Sequence, residues 1–181
     1  MLLKTPSCNF GWKAPDFKLL SFDGTLHNRD SLIGPKGFLL AFICNHCPYV
    51  KAIAKNLALD SLKLEQYGIK TVAIMPNDYL SYPADNPKKM REFARKNDFH
   101  FPYLIDEKQT IAKAYKAVCT PDFFGFNADL ELQYRGRLDN LIMGKGDDRV
   151  PELLNAMKMI ADTNVGPKEQ INSMGCSIKW N

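Results

Sequence analysis

The chain has 181 residues, 45% hydrophobic and 24% charged, with 24 lysines and arginines against 20 aspartates and glutamates. That length suits one domain with a real core and is short for two, and the balance is ordinary for a soluble globular protein. The net charge of +4 is mild and its cations are spread along the chain, which argues against a nucleic-acid partner. The densest basic cluster, Lys88-Lys89-Met90-Arg91, reads as the solvated face of a helix. No segment approaches the ~18 apolar residues of a membrane span, so no membrane partner is expected. Met1 to Pro6 lacks the apolar stretch of a secretory signal. Five cysteines do not make a disulfide framework in a chain of this size. The expected setting is therefore the reducing cytoplasm, with at least one thiol left free by the odd count.

The first elements are a hairpin, Phe17 to Leu20 and Thr25 to Asn28 around Ser21-Phe22-Asp23-Gly24, and a single helical turn, Asp30 to Ile33, ended by Gly34-Pro35. Gly37 to Ile43 is an unbroken apolar run and reads as a buried strand. Val50, Ile53, Ala54, Leu57 and Leu62 keep helical spacing, giving a helix of about five turns that stops at Gly68. Ile69 to Met75 is a second buried strand. Pro76 to Pro87 has loop chemistry, and Asn86-Pro87 opens a helix to about Lys96. Pro102 to Ile105 is a brief strand and Thr110 to Lys116 a short helix. Phe123 to Phe126 and Leu130 to Tyr134 pair as a hairpin. Val150 to Ala161 is the last amphipathic helix, and Gly166 to Asn181 has no clear period. This order predicts an α/β fold: a mixed central β-sheet flanked by helices, with an N-terminal β-hairpin extension. Residues 1–165 form the domain, and residues 166–181 are a tail packed on it or extending from it.

Cys44-Asn45-His46-Cys47 lies between the first buried strand and the long helix. Two thiols spaced C-x-x-C at a strand-to-helix turn form a small reducible pair at a site rich in free N–H groups. The first helical turn offers those donors and the positive end of the macrodipole. His46 adds an imidazolium that stabilises a thiolate; its bland reading is an exposed turn residue. Stabilising the thiolate favours the dithiol and makes the disulfide more oxidising. Two nucleophile candidates stay open. Cys44 is favoured if the first cysteine of the turn projects outward. Cys47 is favoured if Pro48 takes the first helical position and makes Cys47 the N-cap.

Val118-Cys119-Thr120-Pro121-Asp122 is a second constellation, in which a cis bond before Pro121 would be a functional feature. An ordinary trans turn is the alternative. Cys8 and Cys176 read as free thiols partly buried by the tail, with Cys176 as a remote resolving thiol the other reading. Asp78, Tyr79, Tyr82 and Phe124 are either site-lining or ordinary loop and packing residues.

Ala14-Pro15-Asp16-Phe17, Asp23-Gly24 and the strand running into a cysteine resemble the start of the peroxiredoxins and related thioredoxin-fold proteins. The C-x-x-C resembles thioredoxin, and Thr120-Pro121 its cis-proline step. With Val-Cys-Thr-Pro-Asp and the Gly-Cys-Ser-Ile-Lys-Trp tail, nearly the whole chain is similar to the peroxiredoxin-like (AhpC/TSA-related) branch of bacterial thioredoxin-family proteins, an antioxidant class. The resemblance implies a thioredoxin-like fold. It implies that Cys47 matches the peroxidatic cysteine and Cys44 the threonine three residues earlier, with the Cys119-Thr120-Pro121 loop beside them. Leu40 and Cys44 stand where peroxiredoxins carry Pro and Thr. Their active-site arginine would fall near Cys119-Thr120, and Arg135 and Arg137 are not obvious substitutes.

The expected activity is thiol–disulfide exchange through a reversible Cys44–Cys47 disulfide. Cys44, Cys47, His46 and Cys119 are the catalytic set, and Thr120 and Pro121 contact substrate. The partners are protein or small-molecule disulfides and a thiol reductant, no cofactor is required, and the protein is a monomer or homodimer. One alternative is a weak thiol peroxidase with Cys47 attacking peroxide and Cys44 or Cys119 resolving. The other is a thiolate metal-binding module using Cys44, Cys47, Cys119 and perhaps His46.

Overall fold

The computed structural model describes residues 1–181. The chain runs β1 (Leu2–Lys4), β2 (Lys18–Ser21), β3 (Leu26–Asn28), a 3₁₀ turn (Arg29–Leu32), β4 (Gly37–Phe42), α1 (Pro48–Glu65) and β5 (Ile69–Met75). A second 3₁₀ turn (Pro83–Asp85) precedes α2 (Pro87–Lys96), β6 (Tyr103–Ile105) and α3 (Thr110–Ala114). Then come β7 (Cys119–Thr120), β8 (Asp122–Asn127), β9 (Leu132–Tyr134), α4 (Glu152–Thr163) and β10 (Met174–Ser177).

Two strand sets, β3-β2-β6-β5 and β4-β8-β9, meet along β4 and β5, where the Ile43 N–H donates to the Ile74 carbonyl at 3.0 Å. β4 pairs antiparallel with β8 from Gly37↔Asn127 to Phe42↔Asp122, while β5 and β6 run parallel. The mixed sheet expected from the sequence is present. Its central strands are buried on both sides, so their side chains divide by the period of two. Leu39, Ala41 and Ile43 enter one core with α1, α2 and α4. Phe38, Leu40 and Phe42 enter the other with α3, Tyr115 and Phe126. No helix is long and apolar enough to cross a membrane.

Helix starts follow local chemistry. The Asn86 side chain accepts the Lys89 N–H at 2.9 Å with Pro87 at the first helical position, a regular N-cap. At α1 the cap is Cys47 and the first position is Pro48.

The structure departs from the sequence reading at the chain ends. The tail that shows no period holds β10, which lies antiparallel between β1 and β7 in a separate three-stranded sheet. Cys119-Thr120, expected as a turn, is β7, and β8 begins one residue before the expected Phe123. These strands are two to four residues long, too short for alternation to register, and their partners are far apart in the chain. Gly175 makes the pairing close: a Cβ there would lie 2.0 Å from the Thr120 carbonyl oxygen. Ile178 is buried, and Lys179 is held by Asn77 and Gln109.

Candidate active site

Because α1 begins at Pro48, Cys47 is its N-cap residue, and the alternative start just after Cys44 is not taken. The Cys47 thiol donates to the Thr120 carbonyl at 3.2 Å, and Cys44 Sγ lies 3.3 Å from Thr120 Oγ1. One residue of β7 thus touches both thiols of the C-x-x-C. The Thr120–Pro121 bond is cis. All five cysteines are free thiols.

Exposure does not separate the two nucleophile candidates. Cys44 is 1% and Cys47 0% exposed. The outward projection expected of Cys44 is not found, because its side chain turns in beneath Thr120 and joins the core. Electrostatics do separate them. The Cys44 thiol bonds to the Cys47 sulfur and holds it well below the ordinary thiol range. Burial opposes this, while the Cys176 thiol and N–H and the Val50 N–H in the first turn of α1 reinforce it. The Val50 N–H faces the sulfur without closing a full cap hydrogen bond. The Thr120 carbonyl is the neighbour that favours the protonated form, and the several converging donors outweigh it. Cys44 is shifted the other way: its S–H donates a hydrogen bond to the Cys47 sulfur and so keeps its proton, it is buried, and it faces the Asp85 charge. Cys47 therefore ionises first.

Asp85 organises the intervening loop. Its buried carboxylate accepts from the Asn45 N–H at 2.8 Å, from His46 Nδ1 at 2.6 Å and from Asn77 Nδ2 at 2.8 Å. Burial pushes its pKa up, but these donors, His46 first, hold it below the usual carboxylate value. The His46 ring also stacks on Tyr82, with centroids 6.1 Å apart. His46 thus bonds to Asp85, whereas the donors acting on Cys47 are two thiols and two backbone amides. Asn77 ties this loop to the tail, accepting the Lys179 N–H at 2.9 Å.

Cys119 faces the same centre through charge, but its thiol donates to the Pro121 carbonyl at 3.5 Å. Burial and Asp122 push it up to about 12. Arg135 is held by Asp122 at 3.0 Å and lies over Phe124, and Arg137 pairs with Glu152 at 2.7 Å. Neither is free for a leaving oxygen at Cys47. Phe124 belongs to the opposite core, and Tyr79 bonds to Glu107, so of the loop residues considered Tyr82 joins the site through His46.

Cys8 lies near Gln170, its thiol pushed up to about 11 by burial. Cys176 is different. Its strand register sets it opposite Thr120, and it packs on the core that holds Cys44 and Cys47. Sequence reasoning left it as either a free tail thiol or a remote resolving thiol. The one signal available was its place in a Gly-Cys-Ser motif of strand-compatible residues. A groove of about 360 Å³ opens beside Pro121 and the start of α1, lined by Tyr49, Ile53, Phe123, Leu138 and Met174 among others. For a metal, the converging group is Cys44, His46 and Asp85, with ligand atoms within 4.8 Å of one another, rather than the cysteine trio expected. Asp85 in that group is already occupied by three N–H donors.

The start of α1 on this thioredoxin-like fold thus carries Cys47 at the cap, Cys44 three residues earlier and the Thr120–cis-Pro121 step facing both sulfurs. The AhpC/TSA family model matches residues 10–135, and the chain belongs to that family. The chain is similar to an uncharacterized conserved protein from Geobacillus kaustophilus, with 36% identity and TM-score 0.94, covering 100% of this chain and 97% of that one. A hypothetical protein from Sinorhizobium meliloti gives 33% identity and TM-score 0.92, covering 98% of each chain. A secreted Mycobacterium tuberculosis disulfide oxidoreductase shares the fold at 20% identity, with TM-score 0.58 and 70% and 88% of the two chains covered. No curated protein matches the sequence.

Proposed function

We propose that the chain is a cytoplasmic thiol–disulfide oxidoreductase working through a reversible Cys44–Cys47 disulfide. The Cys47 thiolate attacks a substrate disulfide, forming a mixed disulfide and releasing one substrate thiolate. Cys44 then attacks Cys47 Sγ, the second substrate thiolate leaves, and the Cys44–Cys47 disulfide remains. An external thiol reductant returns the pair to the dithiol. Once Cys47 is consumed, the bond that held the Cys44 proton is gone. That proton then leaves with the departing substrate thiolate or to solvent. Thr120 and Pro121 flank the reacting sulfurs, and the mostly apolar groove beside Pro121 suits the residues adjoining a protein disulfide.

The observation that carries this reading is the placement of both C-x-x-C sulfurs against Thr120 with Cys47 at the cap of α1, which displaces the two thiols in opposite directions. That asymmetry suits a nucleophile and its resolving partner. Peroxide reduction also needs donors on the leaving oxygen, and Arg135 and Arg137 are both committed to carboxylates. The test is equilibration in glutathione redox buffers followed by disulfide mapping. A single two-electron Cys44–Cys47 transition is expected. Rapid peroxide consumption with a trappable Cys47 sulfenic acid, and no exchange with glutathione disulfide, would move the protein to the peroxidases.

A further inference from the structure

The core that holds Cys47 also holds Cys44, which follows β4, and Cys176 of β10 packs against it. Cys176 lies opposite Thr120, whose carbonyl accepts from the Cys47 thiol. β10 is held in place from three directions. It pairs with β1 through Leu2↔Cys176, with β7 through Cys176↔Thr120, and its continuation is tied to Asn77 and Gln109 by Lys179. Gly175 permits the close approach to Thr120, the residue that contacts both Cys44 and Cys47. Strand register, and not a chance meeting of a loose tail, therefore sets Cys176 opposite Thr120 and against the core that holds Cys44 and Cys47.

Accessibility distinguishes the two flanking thiols. Cys44 and Cys47 are buried, whereas Cys176 is half-buried. A disulfide substrate can reach Cys47 only if part of its cover moves, and β10 is part of that cover. A mixed disulfide on Cys47 would then emerge along the strand that carries Cys176.

We propose that Cys176 is a third redox-active thiol, which attacks Cys47 Sγ in the mixed disulfide and forms a Cys47–Cys176 disulfide. This rests on the exchange reaction proposed above and adds a step to it. The Cys176 thiol loses its proton to solvent, its sulfur bonds to Cys47 Sγ, and the bond from Cys47 Sγ to the substrate sulfur breaks. One disulfide is lost and one formed, so no further oxidant is needed. Cys44 then attacks the same Cys47 sulfur, frees Cys176 as a thiol and leaves Cys44–Cys47. Cys176 so clears the substrate early, and Cys44 stores the oxidising equivalent in the buried pair.

The test uses the full-length Cys44→Ser protein treated with glutathione disulfide, quenched in acid, alkylated and digested with trypsin. Cys8, Cys47, Cys119 and Cys176 fall on four separate tryptic peptides, so any link is unambiguous. The expected product is the Cys47–Cys176 pair of peptides, with glutathionylated Cys47 as a transient. In the Cys44→Ser/Cys176→Ser protein the glutathionylated form should persist, its decay slowed roughly tenfold or more. Retained amide protection across β10 in hydrogen exchange of the double variant establishes that this strand remains folded. Persistent glutathionylated Cys47 in Cys44→Ser, with Cys176 fully alkylated, would overturn the role of Cys176 and leave the exchange reaction standing. No modification of Cys47 in any variant would overturn both.

Discussion

Replacing Asp85 by asparagine removes one negative charge from the redox loop and keeps its shape. The carboxylate accepts three hydrogen bonds and gives none: Oδ1 takes the Asn45 N–H, and Oδ2 takes both His46 Nδ1 and Asn77 Nδ2. In the amide, one oxygen can still accept from Asn45, but the new NH₂ faces His46 and Asn77. His46 can turn its unprotonated nitrogen toward that NH₂ and recover a bond. Asn77 Nδ2 is a donor and cannot, so a buried amide is left against another amide. One lost charge-assisted bond and one weakened bond, at about 1.5–3 kcal/mol and about 1 kcal/mol, give an expected loss of about 2.5–4 kcal/mol. The check is urea denaturation of the reduced protein at neutral pH, comparing midpoints at equal slope. Because Asp85 is held below its ordinary value in the folded protein, its contribution is present above the unfolded carboxylate pKa. It is lost as pH falls through the depressed value. The wild type should therefore lose stability below about pH 4, and the Asp85→Asn curve should be flatter there. A change under about 0.5 kcal/mol with parallel acid limbs would refute the account of Asp85 as the loop's organising acceptor.

Thiolate absorbance of the reduced protein should show a first ionisation well below ~8.5. It should move upward in Cys44→Ala, which removes the largest donor to Cys47; an unmoved titration refutes the pairing. The same thiolate favours the dithiol, so the Cys44–Cys47 couple should be more oxidising than the thioredoxin value of about −270 mV, checked against glutathione. A potential at or below that value would show that the thiolate is not stabilised. Arg149 joins Asp60 on α1, at 2.5 Å, to Asp139, at 2.7 Å, and both carboxylates are almost fully buried. Arg149→Ala should cost about 3–5 kcal/mol by stranding them, and a loss under 1 kcal/mol in urea denaturation would contradict this. Gly175→Ala forces a Cβ against the Thr120 carbonyl. It should abolish amide protection across β10 in hydrogen exchange while leaving β4 and β5 protected; retained protection in β10 would refute the close packing.

By itself the sequence determined the elements whose information is local. The strand through Leu40 is a continuous apolar run and that through Val72 a mostly apolar one, α1 carries a helical period over five turns, and Asn86-Pro87 and Cys47-Pro48 are short-range start signals. The C-x-x-C at a strand-to-helix junction was legible for the same reason: four adjacent residues and their flanks. The tertiary structure alone decided the surroundings of those sulfurs. Asp85 arrives from a loop 39 residues beyond His46, and Cys176 reaches Cys47 from the far end of the chain on a strand of four residues. It also decided which thiol ionises first. That depends on the donors that converge on a buried atom, and convergence is a property of register and packing that no local pattern encodes.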